Sequence, residues 1–107
     1  MTMWDQVTNQ QRDAFVANIV GGFTVHGVPP HLRPGLVRYF GDGILPGSFL
    51  QAVLVNDLRQ AIQRADPESL DGLPALVQCL VATAPAIAWG SRQAVRAWST
   101  TGDWLEI

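Results

Sequence analysis

Six side chains in this 107-residue sequence have the chemistry to hold a phosphorylated or nucleotide-like small molecule: Arg38, Tyr39, Ser48, Asp57, Arg64 and Trp89. A guanidinium is a planar fork of donors that pairs with phosphate or carboxylate through two parallel hydrogen bonds. All seven Lys-plus-Arg positions are Arg: 12, 33, 38, 59, 64, 92 and 96. A GC-rich genome explains that bias; so does the use of planar cations at phosphates or interfaces, and both can hold. Arg38 shares a helical face with His31 and Gly35, and a glycine there lets a ligand or another backbone come close. The plainer reading of Arg38 is a solvated face. Ser48 follows Pro46-Gly47 at the expected start of a long helix, where unpaired N–H groups and the dipole favour an anion. The plainer reading is ordinary capping, and the same pair of readings applies to Ser91 behind Gly90. Asp57 falls inside an apolar stripe and must be paired, hydrogen-bonded or part of a site. Gln60 and Arg64 follow it along one edge, so a structural ion pair through a neighbour is the alternative. Tyr39 or Trp89 would supply a stacking ring.

No catalytic signature accompanies these residues. The sequence has no G-x-S-x-G, no P-loop and no H-E-x-x-H. Gly41-Asp42-Gly43 with Gly47 approximates a glycine-rich loop, but the P-loop lysine is missing. Cys79 with His26 or His31 could be cast as nucleophile and base, yet a lone helical cysteine reads first as a small buried hydrophobe. The expectation is a protein that is not an enzyme, with no catalytic residues and no cofactor. One Cys and two His are too few for a metal site or a disulfide scaffold. A net charge of -2 and a pI near 5.4 oppose phosphate-backbone binding, so nucleic acid is not an expected partner. With 48% apolar residues the chain is not disordered, and 15% charged residues is little for a soluble surface. Mean hydropathy is +0.13.

The elements that must position these residues read as all-α: a compact bundle of about five short helices with a docked C-terminal tail, one domain over residues 1–107. Helix one is expected over 5–20, ended by Gly21-Gly22, with Phe23–Val28 as loop. Helix two opens at Val28-Pro29-Pro30 and ends at Gly41–Gly43, with Pro34 removing a hydrogen bond or kinking it. Helix three is expected to run unbroken over 46–65, with Leu50, Val53, Leu54, Leu58, Ala61 and Ala65 as its core stripe. Asp66-Pro67-Glu68 restarts a helix, a short turn at 67–71 and a longer piece at 74–83. Residues 84–90 read as an apolar loop, and Ser91 caps a last helix over 92–100. Trp98 reads as core. Trp89 and the tail residue Trp104 are open between core packing and an interface or ligand contact. The apolar Trp89 loop and tail together point to self-association as a homo-oligomer.

The N-terminus lacks a positive run followed by an apolar block, and no stretch is long enough to span a membrane. The expected location is the cytoplasm of the host cell, with no membrane partner. Residues 27–31 (GVPPH), Gly35-Leu36 with Arg38-Tyr39, residues 43–50 (GILPGSFL), Ala52-Val53-Leu54 with Asn56-Asp57-Leu58, Arg64-Ala65-Asp66 and Trp89-Gly90-Ser91 occur in a fixed order. That order resembles a family of small bacteriophage and prophage proteins of unassigned function, over residues 25–98. Leu45 stands where that pattern has a proline, and Pro34 is an intrusion. The resemblance implies an accessory or counter-defence factor. Three readings follow. The first is an oligomeric binding protein that sequesters a nucleotide-like or phosphorylated signal. The second is a module that inhibits a host protein, with the Trp104 tail as its contact. The last and weakest is a DNA-binding regulator, with helices two and three as a helix-turn-helix.

Overall fold

The computed structural model describes residues 8–99, and they form seven α-helices and two short 3-10 turns, with no strand among them. The all-α expectation holds; the count is seven rather than five because the expected third helix and the restart after it each divide. The expected C-terminal tail, including Trp104, lies outside the described residues. No described helix is long and apolar enough to cross a membrane.

Helix α1 (Asn9–His26) opens with a capping box: Thr8 accepts from the Gln11 N–H, and the Gln11 side chain accepts from the Thr8 N–H at 2.8 Å. It does not stop at Gly21-Gly22. It continues through Phe23–His26, expected to be loop, and ends at Gly27 in the left-handed region. Gly22 serves a close crossing instead. A Cβ there would lie 2.9 Å from Thr83 Cγ2 and 3.0 Å from Cys79 Sγ, so the glycine lets α1 seat on the sixth helix. Cys79 is buried at that crossing, as a packing residue.

Pro34 does not kink helix two. A 3-10 turn takes Pro30–Leu32, and α2 (Arg33–Asp42) begins after it. Pro34 therefore sits in the first turn, where its missing N–H has no partner to lose. Gly43 (φ 72°) closes α2.

The expected long third helix is two helices. The first, α3 (Ser48–Leu54), and the second, α4 (Leu58–Arg64), meet at Val55-Asn56-Asp57 and pack back against each other. Asn56 turns the chain at φ 65°, the one non-glycine in the left-handed region among the described residues. Asn tolerates that conformation better than most L-residues. Asp57 then caps α4, its Oδ1 accepting from the Gln60 N–H at 3.1 Å. The carboxylate placed by angle within an apolar stripe is thus an N-cap.

Asp66 caps α5 (Pro67–Asp71) as the Asp-Pro-Glu signal implies, and Gly72 joins it to α6 (Leu73–Thr83). After a 3-10 turn at Ala86–Ala88, Ser91 caps α7 (Arg92–Trp98), accepting from the Ala94 N–H at 3.1 Å. The core closes around α2. Tyr39 and Trp98 are both fully buried. The Tyr39 hydroxyl donates to the Ala88 carbonyl at 2.5 Å, and Trp98 Nε1 donates to the Tyr39 carbonyl at 2.9 Å. Phe40 meets the Tyr39 ring edge-on at 5.0 Å, and Phe15 of α1 reaches Trp98 at 6.0 Å.

The α3–α4 break makes a specific demand at Asn56. Asn56→Ala is expected to lower the unfolding free energy by about 1 kcal/mol, because a Cβ without a compensating side-chain hydrogen bond is disfavoured at positive φ. Asn56→Gly should retain or slightly improve stability relative to that variant. Urea unfolding of both variants checks this; equal midpoints for Ala and Gly would contradict it.

Candidate functional site

A cleft of about 360 Å³ opens between the start of α2, the first turn of α3, the end of α4 and the start of α5. Its walls include Arg38, Ser48 and Arg64, three of the six residues singled out in the sequence, together with His31, Asp66 and Ser69. Arg38 projects from α2, exposed, and makes no side-chain hydrogen bond or ion pair among the described residues. Arg64 is half-buried near the C-terminus of α4. Its Nε donates to Gln60 Oε1 at 2.9 Å, which orients the guanidinium while using one of its five donors. No direct Asp57–Arg64 pair forms. Gln60 stands between them, its N–H on Asp57 and its side-chain oxygen on Arg64.

Ser48 is the first residue of α3 and not its cap. Gly47 occupies the cap position and supplies no side-chain hydrogen bond. A helix of seven residues also aligns few peptide dipoles, so the charge in this cleft resides chiefly in the guanidiniums. Gly35 has a structural use: a Cβ there would lie 3.1 Å from Leu50 Cδ1 and 3.7 Å from Pro46 Cβ. The glycine thus brings α2 close to the entry of α3, which forms one wall of the cleft.

The remaining three candidates lie elsewhere. Tyr39 is buried with its hydroxyl committed to Ala88, so it offers no ring to a ligand in this cleft. Asp57 and Trp89 line a second, smaller hollow of about 160 Å³ with Ala52, Val53, Ala61 and Leu73. Trp89 is half-buried there. The sequence grouped these six as one site; the fold separates them into a polar cleft, an apolar hollow and the core.

His31 is the residue whose place in the cleft the sequence understated. It was visible as a face-mate of Arg38, but its partners on α5 were not. Its Nε2 is 2.9 Å from Ser69 Oγ and 4.0 Å from Asp66 Oδ2, and its Nδ1 is 3.1 Å from Glu68 Oε2. Hydroxyl, imidazole and carboxylate in that order also describe a nucleophilic relay. Ser69, however, is 3% exposed, and its N–H bonds the Asp66 carboxylate within the α5 cap. A hydroxyl buried in that way has no approach to a scissile bond.

The hydrogen bond from the Ser69 backbone N–H, first of all, and the neighbouring Ser69 side chain hold the Asp66 carboxyl below its ordinary pKa. The helix α3, placed where a recognition helix would be, is buried from Phe49 to Leu54 and has no exposed face to lay in a groove. Comparison with protein-family models, with curated proteins and with solved structures gives no match.

Asp66 gives a pH dependence with a definite sign. Its pKa is lower in the folded chain than in the unfolded one. Its contribution to stability is therefore complete above the unfolded value, about 3.9, and is lost as pH falls through the folded value. Urea midpoints followed from about pH 6 to about pH 2 should fall less steeply for Asp66→Asn than for the unaltered chain. Parallel curves would show that Asp66 is not a source of acid sensitivity.

Proposed function

We propose that this chain is a non-enzymatic, phage-encoded, homo-oligomeric protein that sequesters a nucleotide-like or phosphorylated small-molecule signal, as a counter-defence factor. The observation that carries this reading is that Arg38 of α2 and Arg64 of α4 line one cleft. Two forked donors around one concavity suit a phosphate, whose oxygens accept bidentate hydrogen bonds. The volume, about 360 Å³, falls within the range of small-ligand sites. The Ser48 hydroxyl adds a neutral donor on the same wall. Binding without turnover is favoured because the serine nearest the imidazole is buried in a helix cap. Self-association is supported by exposed apolar side chains: Val25 is 79%, Val81 71% and Leu58 66% accessible. The biological setting rests on the resemblance of the motif order to that of small phage proteins.

Inhibition of a host protein is the second reading, and one observation favours it. Leu58 and Ile62 stand exposed on α4, and Leu58 also lines the apolar hollow beside Trp89. A partner protein would use that face and not the arginine cleft.

Calorimetry with a panel of cyclic nucleotides separates the two, at protein concentrations that preserve the oligomer. Binding should be seen for the unaltered chain. Arg38→Ala and Arg64→Ala should each weaken it by roughly 10- to 100-fold, the loss of about 1.5–3 kcal/mol of charge-assisted hydrogen bonding. Arg96→Ala, on α7 outside the cleft, should bind normally. Absence of heat with every nucleotide would overturn the sequestration reading and favour the second.

A further inference from the structure

We propose that the outer face of α6, continued by Leu58 and Ile62 of α4, pairs with the same face of a second copy of this chain about a two-fold axis. This rests on the homo-oligomer in the reading above and gives it a surface. The distribution of charge, more than exposure, selects the second copy.

Residues 72–91 contain no charged side chain. That run takes in the whole of α6, the 3-10 turn at Ala86–Ala88 and Trp89. A surface helix buries one stripe and turns charged or polar residues to water on the other side. α6 buries Leu73, Leu76, Cys79 and Leu80, but its exposed positions are Pro74, Gln78, Val81 and Ala82. Only Gln78 among these is polar, and Val81 is 71% accessible. A helix that is apolar all round belongs in an interior, so the outer side of α6 calls for a cover. The same surface continues across the apolar hollow, where Val77 of α6 and Leu58 of α4 stand together with Trp89. Val81 lies one turn beyond Val77, and Ile62 one turn beyond Leu58; both are exposed. α6 is about 16 Å long, too little by itself for an interface of roughly 800 Å² per partner, so the α4 face must take part.

In a two-fold interface residue i meets j and j meets i, so a face carrying one sign of charge repels its own copy. The α6 face has no charge to repel. At the α4 edge the charges are of opposite sign: Asp57 and Arg59 flank Leu58, and the same short stretch offers an acid and a base to its copy. Residues 100–107 are a poorer match for this face. They are apolar in part, but they bring Asp103 and Glu106, and residues 72–91 hold no cation to meet two carboxylates. A foreign protein met only on encounter would leave the face in water until then, whereas a second copy is present at the chain's own concentration. The hollow and the Arg38–Arg64 cleft share no lining residue, so pairing through the hollow uses none of the ligand site.

The test is the mass of the protein in solution by analytical ultracentrifugation, across about 1–100 μM, because a dimer obeys mass action. The unaltered chain is expected to be a dimer. Val81→Arg and Leu58→Arg alter positions that are accessible in the single chain, so both should keep the circular dichroism of the folded protein. Both should run as monomers, with the dissociation constant raised by about 100-fold or more, because a guanidinium would be buried without a partner. Val20→Arg is the control. Val20 is also exposed, but it stands one turn beyond Val16, on the side of α1 that meets Gly41 of α2. That variant should remain dimeric, and so should the chain lacking residues 100–107. A dimer that survives both Val81→Arg and Leu58→Arg would overturn the assigned face and leave the homo-oligomer standing. Loss of the dimer in Val20→Arg as readily as in the other two would also overturn the face. A monomer on deletion of residues 100–107 would hand the contact to that segment instead. An unaltered chain that is monomeric at every concentration would overturn both the pairing and the homo-oligomer, and would leave the α4 face to a partner protein.

Discussion

The break at Val55-Asn56-Asp57 is the constraint on which the candidate site depends. A continuous helix rises about 1.5 Å per residue, so Ser48 and Arg64 on one unbroken helix would stand about 24 Å apart. The reversal brings α4 back along α3, and Arg64 comes to line the same cleft as Ser48. Three local features make that reversal: a left-handed Asn56, an Asp57 carboxylate on the first turn of α4, and a return hydrogen bond from the Asp57 N–H to the Ala52 carbonyl at 2.8 Å. Each satisfies backbone groups that a helix end would otherwise leave unpaired.

The other half of the cleft is held by α2, and α2 is fixed from the opposite side. Tyr39 lies one residue from Arg38 on the chain and points into the core, where it is tied at its hydroxyl to Ala88 and at its carbonyl to Trp98. Those bonds join positions 49 and 59 residues apart in sequence. They set the rotation of α2 and therefore the direction in which Arg38 faces solvent. Nearby, the Gly90 N–H donates to the Leu54 carbonyl at 2.6 Å, tying the end of α3 to the same C-terminal segment. The cleft is thus built on two helices with separate anchors: one in the aromatic core, the other in the α3–α4 turn.

Much of this was legible in the sequence, and the failures have physical causes. Asp66-Pro67-Glu68, Ser91 and Gly43 are local signals, and the structure uses them as caps and stops. The Asn56-Asp57 break was also locally encoded, as an Asn that accepts positive φ followed by an Asp with Gln three residues on. The apolar periodicity across 50–65 masked it, because two short antiparallel helices can share one core as a single long helix would. Gly21-Gly22 could not be read correctly from local sequence. Whether a glycine ends a helix or admits another depends on Cys79 and Thr83, some 60 residues away. Arg38, Ser48 and Arg64 were identifiable by type. Their convergence depended on the break, and the exclusion of Tyr39, Asp57 and Trp89 depended on tertiary packing. His31 was placed on the right face, but its role depends on α5, which no periodicity argument brings alongside.

The resulting picture is of a small helical protein whose surface carries few charges but gathers two guanidiniums, an imidazole and a carboxylate at one cleft. The most direct measurement of that claim is a nitrogen-15 spectrum of the arginine Nε–H groups, recorded while cyclic AMP is added at low salt and pH about 6. The account requires the Arg38 and Arg64 signals to move together and saturate, while those of Arg92 and Arg96 on α7 stay in place. Equal small shifts at all the arginines, or saturation at α7 with Arg38 and Arg64 unmoved, would contradict it.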